Sequence, residues 1–199
     1  MVAVLKKAYT KLIKFFDTTR TKIMFRRNSV HYGNDFITRG IPYVKVNRSG
    51  KFSIGNGFKM NNNFAGNIIG RQQKCIFVVK GNLFIRNNVG ISSSAIVCHN
   101  FIEIGSNVTI GGNTAIYDTD FHSLKAEERT AMPEILEHVK TKPVIIEDNV
   151  FIGAHSLILK GTTIGRNSIV GAGSVVSKSI PPFEIWAGNP AKKIREIAE

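Results

Sequence analysis

The chain has 199 residues, 43% hydrophobic and 21% charged, enough to bury one sizeable core and to exclude disorder as its main state. Lysine and arginine number 27 against 14 aspartate and glutamate, and the formal net charge of +13 points to an anionic partner. Two cysteines, Cys75 and Cys98, exclude a disulfide framework or a cysteine-type zinc site and fit a reducing compartment, while no apolar run reaches the roughly 18 residues of a membrane span.

Residues 1–27 carry eight basic side chains (Lys6, Lys7, Lys11, Lys14, Arg20, Lys22, Arg26, Arg27) against Asp17 alone. Within 2–16, Val4, Leu5, Ala8, Leu12, Ile13, Phe15 and Phe16 fall mostly at three- and four-residue spacings with lysines between them, which predicts a basic amphipathic helix ahead of a domain over 28–190. Two uses stay open. The helix either caps the fold with its apolar stripe, or lies on an anionic membrane surface close to a lipid-linked substrate. The N-terminus lacks the uninterrupted apolar centre of a secretory signal, so the expected location is cytoplasmic, with peripheral contact at the inner membrane face under the second use.

From about Val44 the pattern changes to a repeat. Aliphatic residues return every six positions at Ile146, Ile152, Ile158, Ile164, Val170 and Val176. The same interval links Ile85, Ile91 and Val97, then after a one-residue slip Ile104, Ile110 and Ile116, and earlier Ile54 with Met60. Glycine follows the aliphatic residue at Gly55, Gly105, Gly111, Gly153, Gly165 and Gly171, where a corner leaves little room for a side chain. Asparagine comes two residues later at Asn107, Asn113, Asn149 and Asn167, and tolerates left-handed backbone angles. Small or β-branched residues follow, among them Thr114, Val150, Ser156 and Ser168. A period of six is neither helical nor that of a long strand. It describes short strands broken by turns, three to a triangular coil, with coils stacked at about 4.8 Å; residues 44–120 and 143–190 supply roughly five of them.

These hexads resemble those of the hexapeptide-repeat acyltransferases, whose fold is a left-handed parallel β-helix; the handedness is implied by the resemblance. The repeat breaks once, between Ile116 and Val144, beginning with Tyr117-Asp118-Thr119-Asp120-Phe121-His122, so residues 121–143 should leave the prism as an excursion. A histidine there has the pKa to take a proton from an attacking hydroxyl, and Asp120 or Asp118 is a candidate to orient its ring. On residues alone a solvated surface histidine is the ordinary alternative. The segment is similar to that of the galactoside and maltose acetyltransferase branch and of surface-polysaccharide acetyltransferases, which implies that His122 is the general base. That branch has a substrate-holding asparagine where this chain reads Gly90-Ile91-Ser92-Ser93-Ser94, so Ser93 stands in for it and, with Asp118, is the candidate substrate contact. His99 and His155 fall at turn positions where a surface polar side chain is expected.

The stretch from Val170 through Lys178, then Ile180-Pro181-Pro182 and Trp186-Ala187-Gly188-Asn189-Pro190-Ala191-Lys192, resembles the last coil and exit of the family. The resemblance implies an acyl-CoA groove with Gly111, Ala154 and Ala172 along the pantetheine, Ser177 and Lys178 near the adenine, and Lys192 and Arg195 toward the phosphates. The Gly111 amide is then a candidate donor to the reaction's oxyanion. A short C-terminal helix over 191–199 closes the expected fold. The resemblance further implies acetyl-CoA as donor, no metal, a sugar or glycan acceptor, and a homotrimer with each site between two chains.

The leading reading is therefore an acetyl-CoA-dependent O-acetyltransferase of surface-polysaccharide synthesis. An N-acyltransferase of an amino sugar and a non-catalytic basic β-helix binding module are the alternatives. A γ-type carbonic anhydrase needs three histidines around zinc, and His99, His122 and His155 include no short-spaced pair. Nucleic acid is not the expected partner, because aromatic residues do not interleave with the cations.

Overall fold

One aliphatic residue in six leaves two to four residues for a strand and the rest for a turn, and the chain folds accordingly. The computed structural model describes residues 2–62, 69 and 73–198. Helix α1 (Val2–Arg27) precedes a first coil of β1 (His31–Tyr32), β2 (Ile37–Arg39) and β3 (Tyr43–Val46). The second coil is β4 (Lys51–Ile54), β5 (Lys59–Asn61) and β6 (Ile76–Val79); the third is β7 (Asn82–Ile85), β8 (Gly90–Ser92) and β9 (Ala95–Cys98). The fourth is β10 (Phe101–Ile104), β11 (Thr109–Ile110) and β12 (Ala115–Tyr117), after which the excursion carries a single short helix, α2 (Ala126–Thr130). Beyond it come β13 (Val144–Ile146), β14 (Phe151–Ile152) and β15 (Leu157–Ile158), then β16 (Thr163–Ile164), β17 (Ile169–Val170) and β18 (Val175–Val176). Strands β19 (Glu184–Ala187) and β20 (Lys192–Glu196) finish the chain.

Every third strand pairs in parallel, so the strands sort into three faces: β1-β4-β7-β10-β13-β16, then β2-β5-β8-β11-β14-β17-β19-β20, then β3-β6-β9-β12-β15-β18. This is the left-handed parallel β-helix. It has six coils rather than five and starts near residue 31, not 44, because β1 and β2 pair with β4 and β5 through Tyr32 and Thr38, which stand where later coils have an aliphatic residue. The excursion leaves the register untouched, since Ile104 pairs with Ile146 as though residues 118–143 were absent.

The hexad residues Ile146, Ile152, Ile158, Ile164, Val170 and Val176 are all fully buried. Each is worth about 1.5–3 kcal/mol of transfer free energy. At the corner beneath them a Cβ on Gly153 would stand against the backbone of Ala172, so glycine is required by coil stacking. Hydroxyls close the next turn, Ser156 Oγ donating to Gly153 O at 2.8 Å and Ser174 Oγ to Gly171 O at 2.6 Å. On another edge Asn88, Asn107, Asn149 and Asn167 all adopt left-handed angles, φ 58 to 61°, and their side-chain amides bond in a ladder of 2.9–3.1 Å steps.

Both ends of the stack are closed by the chain itself. The last turns of α1 place Phe25 over the open first coil, 5.3 Å from Phe36 and 6.1 Å from Phe52 between ring centroids. At the other end the expected terminal helix does not form. Residues 192–196 are instead β20, antiparallel to β19, with Trp186 opposite Lys193 and Ala187 opposite Lys192. An isolated helix of nine residues does not repay its nucleation, whereas the free edge of β19 offers backbone partners. Glu184, buried beneath β20, binds Lys193 at 2.7 Å and Trp186 Nε1 at 2.6 Å, contacts that hold its carboxyl below the usual range.

Candidate active site

The excursion leaves the corner after β12, and its base is built from backbone. Asp118 is fully buried and accepts from three amides at the turn from β9 into β10: His99 at 2.7 Å, Asn100 at 2.7 Å and Phe101 at 2.8 Å. This corrects the expectation of a substrate contact, because a carboxylate closed in by its own backbone has no face left for a ligand. The two legs then zip together, with Thr119 bridging Thr141, Asp120 N donating to Lys140 O at 3.1 Å and Lys142 N to Asp118 O at 2.9 Å. Phe121, at φ 65°, packs edge-on against Tyr117 at 5.1 Å and His99 at 6.0 Å. Burial, with Lys80 nearby, lowers the His99 pKa.

His122 stands on this platform with its side chain 62% exposed. Its Nδ1 lies 2.9 and 3.0 Å from the two carboxylate oxygens of Glu134. The orienting acid is thus Glu134, not Asp120 or Asp118. Asp120 forms an ion pair of 2.7 Å with Lys160 on the next coil and ties the excursion's root to the prism. A carboxylate accepts, so this contact favours the tautomer with the proton on Nδ1 and the lone pair on Nε2, which makes no hydrogen bond among the described residues. Nothing in the sequence marks Glu134, since it lies twelve residues on in a stretch without periodicity.

A second carboxylate holds the rest of the excursion in shape. Glu128, nearly buried on α2, bonds Ser123 Oγ at 2.6 Å, Lys125 Nζ at 2.8 Å and His138 Nδ1 at 2.8 Å. The Lys125 and Ser123 bonds keep its carboxyl below the usual carboxylate range. A cleft of about 420 Å³ within the excursion is lined by Ser123, Leu124, Lys125 and residues 137–140. A larger groove of about 550 Å³, between Arg86 and Arg166, lies along the asparagine edge and shares no residue with the excursion.

The residues expected to hold coenzyme A divide into two groups. Ala154 and Ala172 occupy equivalent places on successive coils at the corner before β15 and β18, and neither amide makes a backbone hydrogen bond among the described residues. Both are at least partly exposed, so this column can meet an amide-bearing ligand. Gly111 is different. Its amide donates to Ile152 O at 2.8 Å and the space over its Cα is filled by Ala154, so it serves the stack and is not free to hold an oxyanion. Ser177 and Lys178 are exposed on the corner after β18, the same edge from which the excursion leaves one coil-pair earlier. Lys192 sits opposite Ala187 at the end of the second face, near the Ala154–Ala172 column, while Arg195 lies opposite Ile185, farther along β20. Ser93 is not a substrate contact either: it is fully buried at φ 45°, its Oγ has no partner, and its backbone bonds Asn61 and Asn113 of the flanking coils.

His122 and the Ala154–Ala172 column therefore lie on opposite edges of the face formed by β12, β15 and β18. Both cysteines are free and buried, burial pushing the Cys75 thiol up to about 12, and no cluster of metal-ligating residues occurs among the described residues.

Comparison with known proteins gives the same fold. Residues 143–178 match the family model described as the hexapeptide repeat of succinyl-transferase. The galactoside O-acetyltransferase of Escherichia coli is 42% identical over 96 residues, 48% of this chain and 44% of that enzyme. The chain spans about half the length of the curated relatives it matches. A mutant of the N-acyltransferase AntD from Bacillus cereus, solved with dTDP-4-amino-4,6-dideoxyglucose and coenzyme A, superposes with a TM-score of 0.71 over 89% of each chain at 23% identity, a likeness of fold. A hexapeptide-repeat acetyltransferase of Vibrio cholerae, solved with acetyl coenzyme A, is 32% identical with a TM-score of 0.52 over 59% of this chain and 61% of that one.

Proposed function

We propose that this chain, similar in fold and repeat to the hexapeptide-repeat acyltransferases, transfers an acetyl group from acetyl-CoA to a sugar hydroxyl in surface-polysaccharide synthesis. The observation that carries the reading is the Glu134–His122 pair, with Nδ1 engaged and the imidazole side chain 62% exposed on the excursion. The acceptor oxygen attacks the thioester carbonyl carbon and its proton passes to His122 Nε2; the C–S bond then breaks and the departing thiolate of coenzyme A takes that proton. Glu134 stabilises the imidazolium between the two transfers. Ala154 and Ala172 offer free amides to the pantetheine, and Lys178 and Lys192 offer cations to its phosphates.

The same proposal includes a homotrimer. Within one chain the base and the alanine column are separated by a whole sheet, and a neighbouring prism laid against that face brings the base of one copy to the column of the next. The enzyme then requires no metal. The test is thiol release from acetyl-CoA across a panel of sugars, sugar nucleotides and amino sugars, with the mass in solution measured alongside. Turnover with a hydroxyl acceptor supports the reading, turnover with amines alone turns it into N-acylation, and no thiol release with any acceptor rejects it.

A further inference from the structure

Helix α1 changes character near Asp17. From there to Arg27 it is fastened to the prism: Asp17 Oδ2 accepts from Gly40 N at 2.7 Å, Thr18 Oγ1 from Thr38 N at 3.1 Å, and Thr21 and Phe25 are buried. Extended toward the N-terminus at 3.6 residues per turn, that docked side continues through Thr10, Lys14 and Lys7. With Lys6, Lys11 and Arg39 these line a cleft of about 480 Å³ between the helix and the first coil. The apolar residues are on the other side. Val4, Leu5, Ala8, Tyr9, Leu12, Phe15 and Phe16 cover roughly half the circumference, facing away from the protein, with Leu12 54% and Phe15 65% exposed. Farther along the same outward side stand Arg20, Arg26 and Arg27, all exposed.

So the helix is held by its polar side and offers a continuous apolar band bordered by cations. We infer that residues 2–16 dock on the surface of an anionic lipid bilayer, with the aromatic and leucine side chains at the acyl boundary and the basic residues among the headgroups. Charge selects this occupant over a second copy of the helix: residues 2–16 carry four lysines and no acidic residue, so paired helices would gather like charges with no carboxylate to offset them. The helix is not long and apolar enough to cross a membrane, which leaves it in the plane of the surface.

The experiment is co-sedimentation of the full chain with vesicles of phosphatidylcholine alone or with about 30% phosphatidylserine, over a salt series. Binding to the anionic vesicles is expected to exceed that to neutral ones by at least tenfold and to fall with salt. The double variant Leu12→Glu/Phe16→Glu should abolish it, and Lys6→Gln/Lys11→Gln, at the two borders of the band, should weaken it by about fivefold per charge, with circular dichroism and solution mass unchanged in both. Equal retention by neutral and anionic vesicles, or none by either, overturns the inference. So does a fall in solution mass in the glutamate variant without a loss of vesicle binding, which would assign the apolar band to copies of the chain.

Discussion

In the prism, a residue's place in a six-residue cycle dictates its type; in the excursion between Thr119 and Lys142, polar side chains reach across the chain to one another. The first region is held by repetition: isoleucines stacked on isoleucines, glycines under backbone, asparagines bonded in a row. The second is held by two carboxylates, Glu128 gathering Ser123, Lys125 and His138, and Glu134 holding His122 across twelve residues of one irregular loop. A rigid, self-consistent stack leaves little freedom for chemistry, and a loop anchored on it can carry an exposed imidazole in a defined orientation.

If that division holds, His122→Ala should lower turnover by about 10²- to 10⁴-fold while leaving the denaturant midpoint of unfolding unchanged. A large loss of stability instead would make the excursion part of the structural frame. The opposite result is expected in the prism, where Gly153→Val forces a side chain into the backbone of Ala172 and should cost on the order of 3 kcal/mol, read by chemical denaturation. Glu134→Gln keeps the shape but removes the charge that supports the imidazolium, so kcat should fall roughly 10- to 100-fold at unchanged KM. Equal activity would return the orienting role to another group.

Acid should separate the two regions. Because the folded-state pKa of Glu128 is lowered, its contribution is fully present above the ordinary carboxylate range, near about 4, and is lost as pH falls through the lowered value. Limited proteolysis is then expected to cut the excursion at acid pH before the prism loosens. The smallest effect is at the asparagine edge, where Asn149→Ala should cost about 1 kcal/mol in thermal unfolding, since its two rungs, to Asn107 and Asn167, are lost but water reaches the exposed neighbours.

Most of the prism was legible from its hexads because a period of six aliphatic positions permits few solutions, and the left-handed asparagines followed from the same cycle. The first coil was missed, since β1 and β2 carry Tyr32 and Thr38 at the positions that are aliphatic in later coils and are recognised by what they pair with. At the site, the position of His122 was legible as the histidine at the repeat's one break. Its partner was not: Asp118 and Asp120 are nearer in sequence, but the corner turns Asp118 inward to three amides and draws Asp120 to Lys160.

What the residues determined alone is the part governed by local recurrence: strand length, corner chemistry, the buried column and the place where it is interrupted. Tertiary structure decided everything that depends on which distant atoms meet, from Glu134 beside His122 and the pairing of Lys192–Glu196 with an open edge to the outward face of the first helix. Recurrence is written into neighbouring positions, whereas a side chain's partner across a loop is chosen only once the backbone has closed and the competing partners are already taken.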